Sequence, residues 1–159
     1  VPIILSDVSM PSLDTLRIMG GMRVDGRLDE FESRRRNHQA TASITRDDIL
    51  KRNPVDAWQM LGGIASLQVI SSENMKVAWS ARGMQWDPGA QRMADCYLRV
   101  MVDRVLLPAD SIGRTDLNDL PRPDEIYGIE VFAGPAMIPL IYGGTGTNKW
   151  CGLVAIWTR

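Results

Sequence analysis

The segment Leu153–Trp157 constrains the fold more than any other part of the chain, because both of its faces are apolar. Alternation places Leu153, Ala155 and Trp157 on one side and Val154 and Ile156 on the other. A strand with no polar face belongs in the interior of a sheet, covered from both sides, and not at an edge. Upstream, Ile129–Phe132 forms a second short apolar run, and Gly134-Pro135 and Tyr142-Gly-Gly-Thr-Gly146 mark turns between the two. A chain closing on a central strand is expected to complete its fold there, as a self-contained soluble module.

The two cysteines bear on both fold and compartment. Cys96 and Cys151 each stand just before an expected strand, Tyr97–Val102 and Leu153–Trp157, so pairing of those strands brings the thiols together. A bridge closing so long a loop stabilises by about 4 kcal/mol through the chain entropy it removes. Disulfides persist in oxidising compartments, which points to the periplasm or the cell exterior; two buried free thiols in a reducing compartment are the alternative. With Lys+Arg 18 against Asp+Glu 19 the net charge is −1, which gives no electrostatic reason to expect nucleic acid as a partner. No stretch approaches the about 20 apolar residues of a membrane-spanning helix. The 159 residues suit one domain with its own core.

In chain order, Val1–Asp14 is apolar but aperiodic, with Pro2 and Pro11, and reads as an extended arm preceding a domain of residues 15–159. Leu28–Arg36 is an expected short helix, acidic at its start and ending in Arg34-Arg35-Arg36, a placement that suits the helix dipole. The arginine run reads as a solvated face, and the single histidine, His38, as a surface residue without partner ligands. Thr45-Arg-Asp-Asp48 opens a helix with Thr45 as its cap and Ile49 and Leu50 facing inward. Asn53-Pro54 ends that helix and begins another, which Gly62-Gly63 stops, with Ala57, Trp58 and Leu61 on one face.

Leu67–Ile70 and Lys76–Arg82 read as strands, Gly83–Asp95 as a polar loop, and Pro108–Arg122 as a long loop. Trp79 and Trp157 fall at core positions. Trp86 and Trp150 fall in loops, where a large ring is harder to bury and either folds back over the sheet or serves as a contact. The expected fold class is α+β: a small mixed β-sheet with short helices packed on it and one disulfide.

Taken together, Ile44–Pro54, Ala81-Arg82-Gly83, Val100-Met-Val-Asp103, Asp116–Pro121, Ile129–Pro135, Tyr142-Gly-Gly144 and Gly152–Trp157 resemble the plug domain of TonB-dependent outer-membrane receptors. The likeness runs roughly from Leu13 to Arg159, and is nearest to short bacterial proteins that consist of a plug alone. It implies a small mixed sheet with helices on it, normally held inside a β-barrel. It also implies that Asp14–Ile18 resembles the segment such receptors offer to TonB for strand addition. Two departures stand out. The expectation is a plug without a barrel of its own, and the tight Asp-Gly turn usual after the Val-Asp strand is Asp103-Arg104 here, which calls for a wider or strained hairpin because arginine resists positive φ.

Chemistry is harder to find. Gly143–Lys149 lacks the Gly-Lys-Ser/Thr order of a phosphate loop, and the carboxylates at Asp47, Asp48, Asp116 and Asp119 have capping roles and no convergent partner. The expectation is therefore a non-catalytic, periplasmic, membrane-extrinsic adaptor without cofactor or metal, docking onto protein subunits of a larger membrane complex. A photosynthetic reaction-centre–light-harvesting assembly is one compatible host. Its contact residues would be Pro2, Ile3, Ile4 and Leu5 of the arm together with Trp86 and Trp150. The alternative is the plug of a TonB-dependent transporter, with a barrel chain or TonB as partner.

Overall fold

A computed structural model describes residues 26–87, 89–143 and 151–159. The arm residues Pro2, Ile3, Ile4 and Leu5, the Asp14–Ile18 segment and Trp150 lie outside the described residues.

The first described helix, α1 (Gly26–Arg36), includes the two residues before its expected start. Strand β1 (Ala42–Ile44) leads into α2 (Arg46–Arg52). The capping box at its start is complete: the Asp48 amide donates to Thr45 Oγ1, and the Thr45 amide donates to Asp48 Oδ2 at 2.9 Å. Asn53 closes α2 in the left-handed region at φ 44°. The following 3-10 turn starts at Ala57, later than Pro54 suggested, and is ended by Gly62. Leu50 is solvent-exposed, against the inward placement expected of it, since only Ile49 of this short helix reaches the core.

Strands β2 (Leu67–Ser72), β3 (Met75–Asp87) and β4 (Arg92–Tyr97) form an antiparallel three-stranded sheet. The expected polar loop Gly83–Asp95 is thus mostly the end of one long hairpin. Its turn is set by Asp87, whose Oδ1 accepts from the amides of Gly89 and Ala90 at 2.8 and 3.2 Å. A register shift between Trp79 and Met84 breaks the alternation that would have revealed the strand.

The second sheet contains β5 (Arg99–Val102), β6 (Val105–Leu106), β7 (Ile126–Phe132), β8 (Leu153–Thr158) and β1, in the order β1-β7-β8-β5-β6. It is mixed: β8 runs antiparallel to β7 and parallel to β5, and β5 pairs antiparallel with β6. β8 is central, as its doubly apolar sequence requires.

The two faces of β8 feed two separate cores. Val154 and Ile156 pack with Ile129, Val131, Val100, Ile49, Met60 and Leu61 beneath α2 and the three-stranded sheet. Leu153, Ala155 and Trp157 pack with Phe31, Phe132, Ile138 and Tyr142 beneath α1. Gly128 makes the α1 side possible, because a β-carbon there would stand 2.4 Å from the Phe31 ring. Cys96 and Cys151 are bridged, joining the end of β4 to the approach of β8. Cys96 lies within β4, one residue short of its end, where the sequence placed it just ahead of a strand.

Candidate functional site

α1 has few apolar residues to dock with, since only Leu28 and Phe31 among its buried residues are apolar, and the third is Arg34. The arginine run read as a solvated face is therefore wrong for Arg34, which is 7% exposed and points into the sheet. Its Nε donates to Glu130 Oε1 at 3.0 Å and its Nη2 to Glu130 Oε2 at 2.9 Å. Glu130, on β7, is fully buried, and the Trp157 indole N–H donates to its Oε2 at 2.9 Å. The guanidinium also sits 5.3 Å from the Trp157 ring centre and 5.5 Å from that of Tyr142, in the range of cation–π attraction.

Burial pushes the Glu130 carboxyl above the usual carboxylate range, against the downward pull of the Arg34 guanidinium and the Trp157 N–H. Burial alone would lower Arg34, but its hydrogen bond to Glu130 and the charge of that carboxylate outweigh it and raise the guanidinium further. A bidentate pair with a third donor on the carboxylate supplies the satisfaction a buried charge requires.

The pair continues outward as a chain of charges. Arg34 Nη1 lies 3.6 Å from Glu30 Oε2, the Tyr142 hydroxyl donates to Glu30, and Arg104 pairs with Glu30 from the β5–β6 turn. That turn is Asp103-Arg104, with both residues at positive φ, 46° and 71°. The hairpin is therefore tight and strained, the second of the two forms expected, and it is held by side-chain ties at both residues. Asp103 accepts from the Thr158 amide at 3.0 Å and from the Thr158 hydroxyl, and it pairs with Arg27 at 3.0 Å. Glu32 accepts from the Tyr127 hydroxyl at 3.1 Å. The helix is thus fastened to the sheet at four places by polar groups: through Arg27, Glu30, Glu32 and Arg34.

The exposed apolar surface lies elsewhere. Trp86 is on β3, not in a loop, and is 57% exposed. Trp79 is half-buried between β2 and β4 and not a core residue, whereas Trp157 is fully buried. A shallow concavity of about 500 Å³ is lined by Gln39 and Pro135–Leu140, with Met137, Leu140 and Ile141 exposed around it. His38 is exposed just beyond α1. Among the described residues no group of three or more His, Cys, Asp or Glu side chains is placed to hold a metal ion, and no helix is long and apolar enough to cross a membrane.

Of the residues marked from sequence as contacts, Trp86 alone is described, and nothing brings it near the α1 ion pairs. Arg34 and Glu130 were missed as a pair; their separation of 96 positions hides the pairing from any local pattern. The one available signal was a glutamate inside an otherwise apolar strand, Ile129-Glu-Val-Phe132, which demands a buried partner.

Comparison with known families gives a match over residues 33–148 to the model described as TonB-dependent Receptor Plug Domain. Neither curated proteins nor solved structures gave a significant match.

Proposed function

The chain belongs to the TonB-dependent receptor plug domain family, and on that premise we propose that it serves as a plug seated in the lumen of an outer-membrane β-barrel within a TonB-dependent system. The carrying observation is the family match across 116 positions, residues 33–148. This is the reading the sequence offered as its alternative; the adaptor reading, with its photosynthetic or other membrane-complex host, draws no support from the match. The proposed role is non-catalytic and places the chain on the envelope side of the cell.

The manner in which α1 is fastened suits such a role. Residues 1–25 precede α1, so a partner engaging the Asp14–Ile18 segment would load this helix before any other described element. A helix with only two buried apolar side chains is a less stable unit than the paired strands β7 and β8, although parting it from the sheet must also break the buried Arg34–Glu130 pair.

Purification through this chain from gently solubilised membranes tests the proposal. A co-purifying protein that changes mobility on heating, as β-barrels do, is the expected result. A large complex without any barrel protein would support the adaptor reading instead, and recovery as a lone monomer would overturn both.

A further inference from the structure

Beyond Ser80, β3 loses β2 as a neighbour and pairs with β4 alone, so Met84–Asp87 and Arg92–Asp95 form a two-stranded ribbon among the described residues. Its register sets Trp86 opposite Met93 and Met84 opposite Asp95. Residues directly opposite share a face, as do residues two apart on one strand, so Met84, Trp86, Met93 and Asp95 lie on the same side. Three of them are large apolar side chains left about half in solvent: Met84 at 50%, Trp86 at 57% and Met93 at 48%. The composition is specific, with two thioethers flanking an indole and one carboxylate at the rim.

We propose that this face binds a single soft monovalent cation, Cu(I) or Ag(I), through the sulfurs of Met84 and Met93, with the ion resting against the Trp86 ring. Thioethers are soft donors that select Cu(I) over Mg²⁺, Ca²⁺ or Zn²⁺, and they keep their lone pairs at any pH because they do not protonate. Met84 and Met93 stand diagonally across the ribbon, about 7–8 Å apart at the backbone, a span two long flexible side chains can close. Trp86 stands directly opposite Met93 and two residues from Met84, and indole is the aromatic ring that attracts a cation most strongly. Asp95 supplies a compensating negative charge beside Met84 and is held by the Tyr97 hydroxyl at 3.3 Å. No thiol competes, because both cysteines are in the bridge. The inference is independent of the plug reading.

The test is titration of the full chain, disulfide intact, with silver nitrate in chloride-free buffer, followed by calorimetry and by tryptophan fluorescence. One equivalent of Ag(I) should bind with a quench that Trp86→Phe removes. Met84→Leu and Met93→Leu should each weaken binding by roughly tenfold or more, a loss that even outer-shell changes inflict on metal sites. Met137→Leu, at the Pro135–Leu140 concavity, should leave affinity unchanged. Leucine preserves size, and an unchanged circular dichroism spectrum confirms that the ribbon is intact. Unaltered Ag(I) affinity in the Met84→Leu/Met93→Leu double variant, or equal binding of Zn²⁺ at the same residues, would overturn the proposal.

Discussion

When the Cys96–Cys151 bridge is opened, the folded state keeps its contacts while the unfolded chain gains freedom. The bridge spans 55 positions and encloses β5, β6 and β7. For a loop of that length the chain-entropy relation gives about 14 cal/mol/K, or about 4 kcal/mol at 25 °C. In a domain of this size that corresponds to a fall in Tm of about 8–16 °C. Scanning calorimetry and urea unfolding of the oxidised and reduced protein measure it, and reduction is the cleaner perturbation because no atom is removed from the interior. Cys96→Ala/Cys151→Ala should cost more than reduction, since both residues are buried and alanine leaves the sulfur volumes empty. The urea m-value should rise on reduction, because the released chain expands further when unfolded. A stability loss below about 1 kcal/mol would refute the entropic argument.

Further perturbations probe the packing of α1 and α2. Arg34→Met should destabilise by about 3–5 kcal/mol in urea unfolding, since it leaves Glu130 buried without its partner; Arg34→Met/Glu130→Leu should restore most of the loss. In the single variant the folded state holds the Glu130 proton more tightly than the unfolded chain does, so stability should fall as pH rises through the elevated carboxyl pKa. Thr45→Ala should cost about 1 kcal/mol. It should also blunt acid sensitivity, because the hydrogen bonds from Thr45 hold the Asp48 carboxyl below its ordinary range, and the stability they give is lost as pH falls through that lowered value. Gly128→Ala, which drives a methyl against the buried Phe31 ring, should destabilise by about 1–3 kcal/mol, with loss of α1 helicity ahead of the strands on heating.

The parts of this fold that local chemistry dictates are visible in the sequence. β8 is apolar on both faces and is the central strand; its two faces feed the two cores expected of such a strand. The Thr45–Asp48 box caps α2, and the cysteines placed near two neighbouring strands are bridged. What escaped the sequence depends on distant partners. Arg34 looks like the end of a solvated basic helix until Glu130 is set beneath it. The Gly83–Asp95 segment looks like a loop because a register shift interrupts its alternation and its large side chains face solvent; the Asp87-Pro-Gly89 turn flanked by Met84, Trp86 and Met93 was the overlooked hairpin signal. Asp103-Arg104 was expected to make its turn either wider or strained; the turn is tight, and Thr158, Arg27 and Glu30 hold both residues at positive φ. Tertiary contacts there override local preference.

A plug filling a barrel is touched from every side, whereas an adaptor meets its host through one face. Photo-crosslinking in intact cells, from the exposed positions Val55, Trp86, Ile112 and Leu140 in turn, measures that difference directly. Adducts from all four positions to one and the same β-barrel protein are the predicted result. Adducts from a single position, or to a complex containing no barrel, would contradict the account.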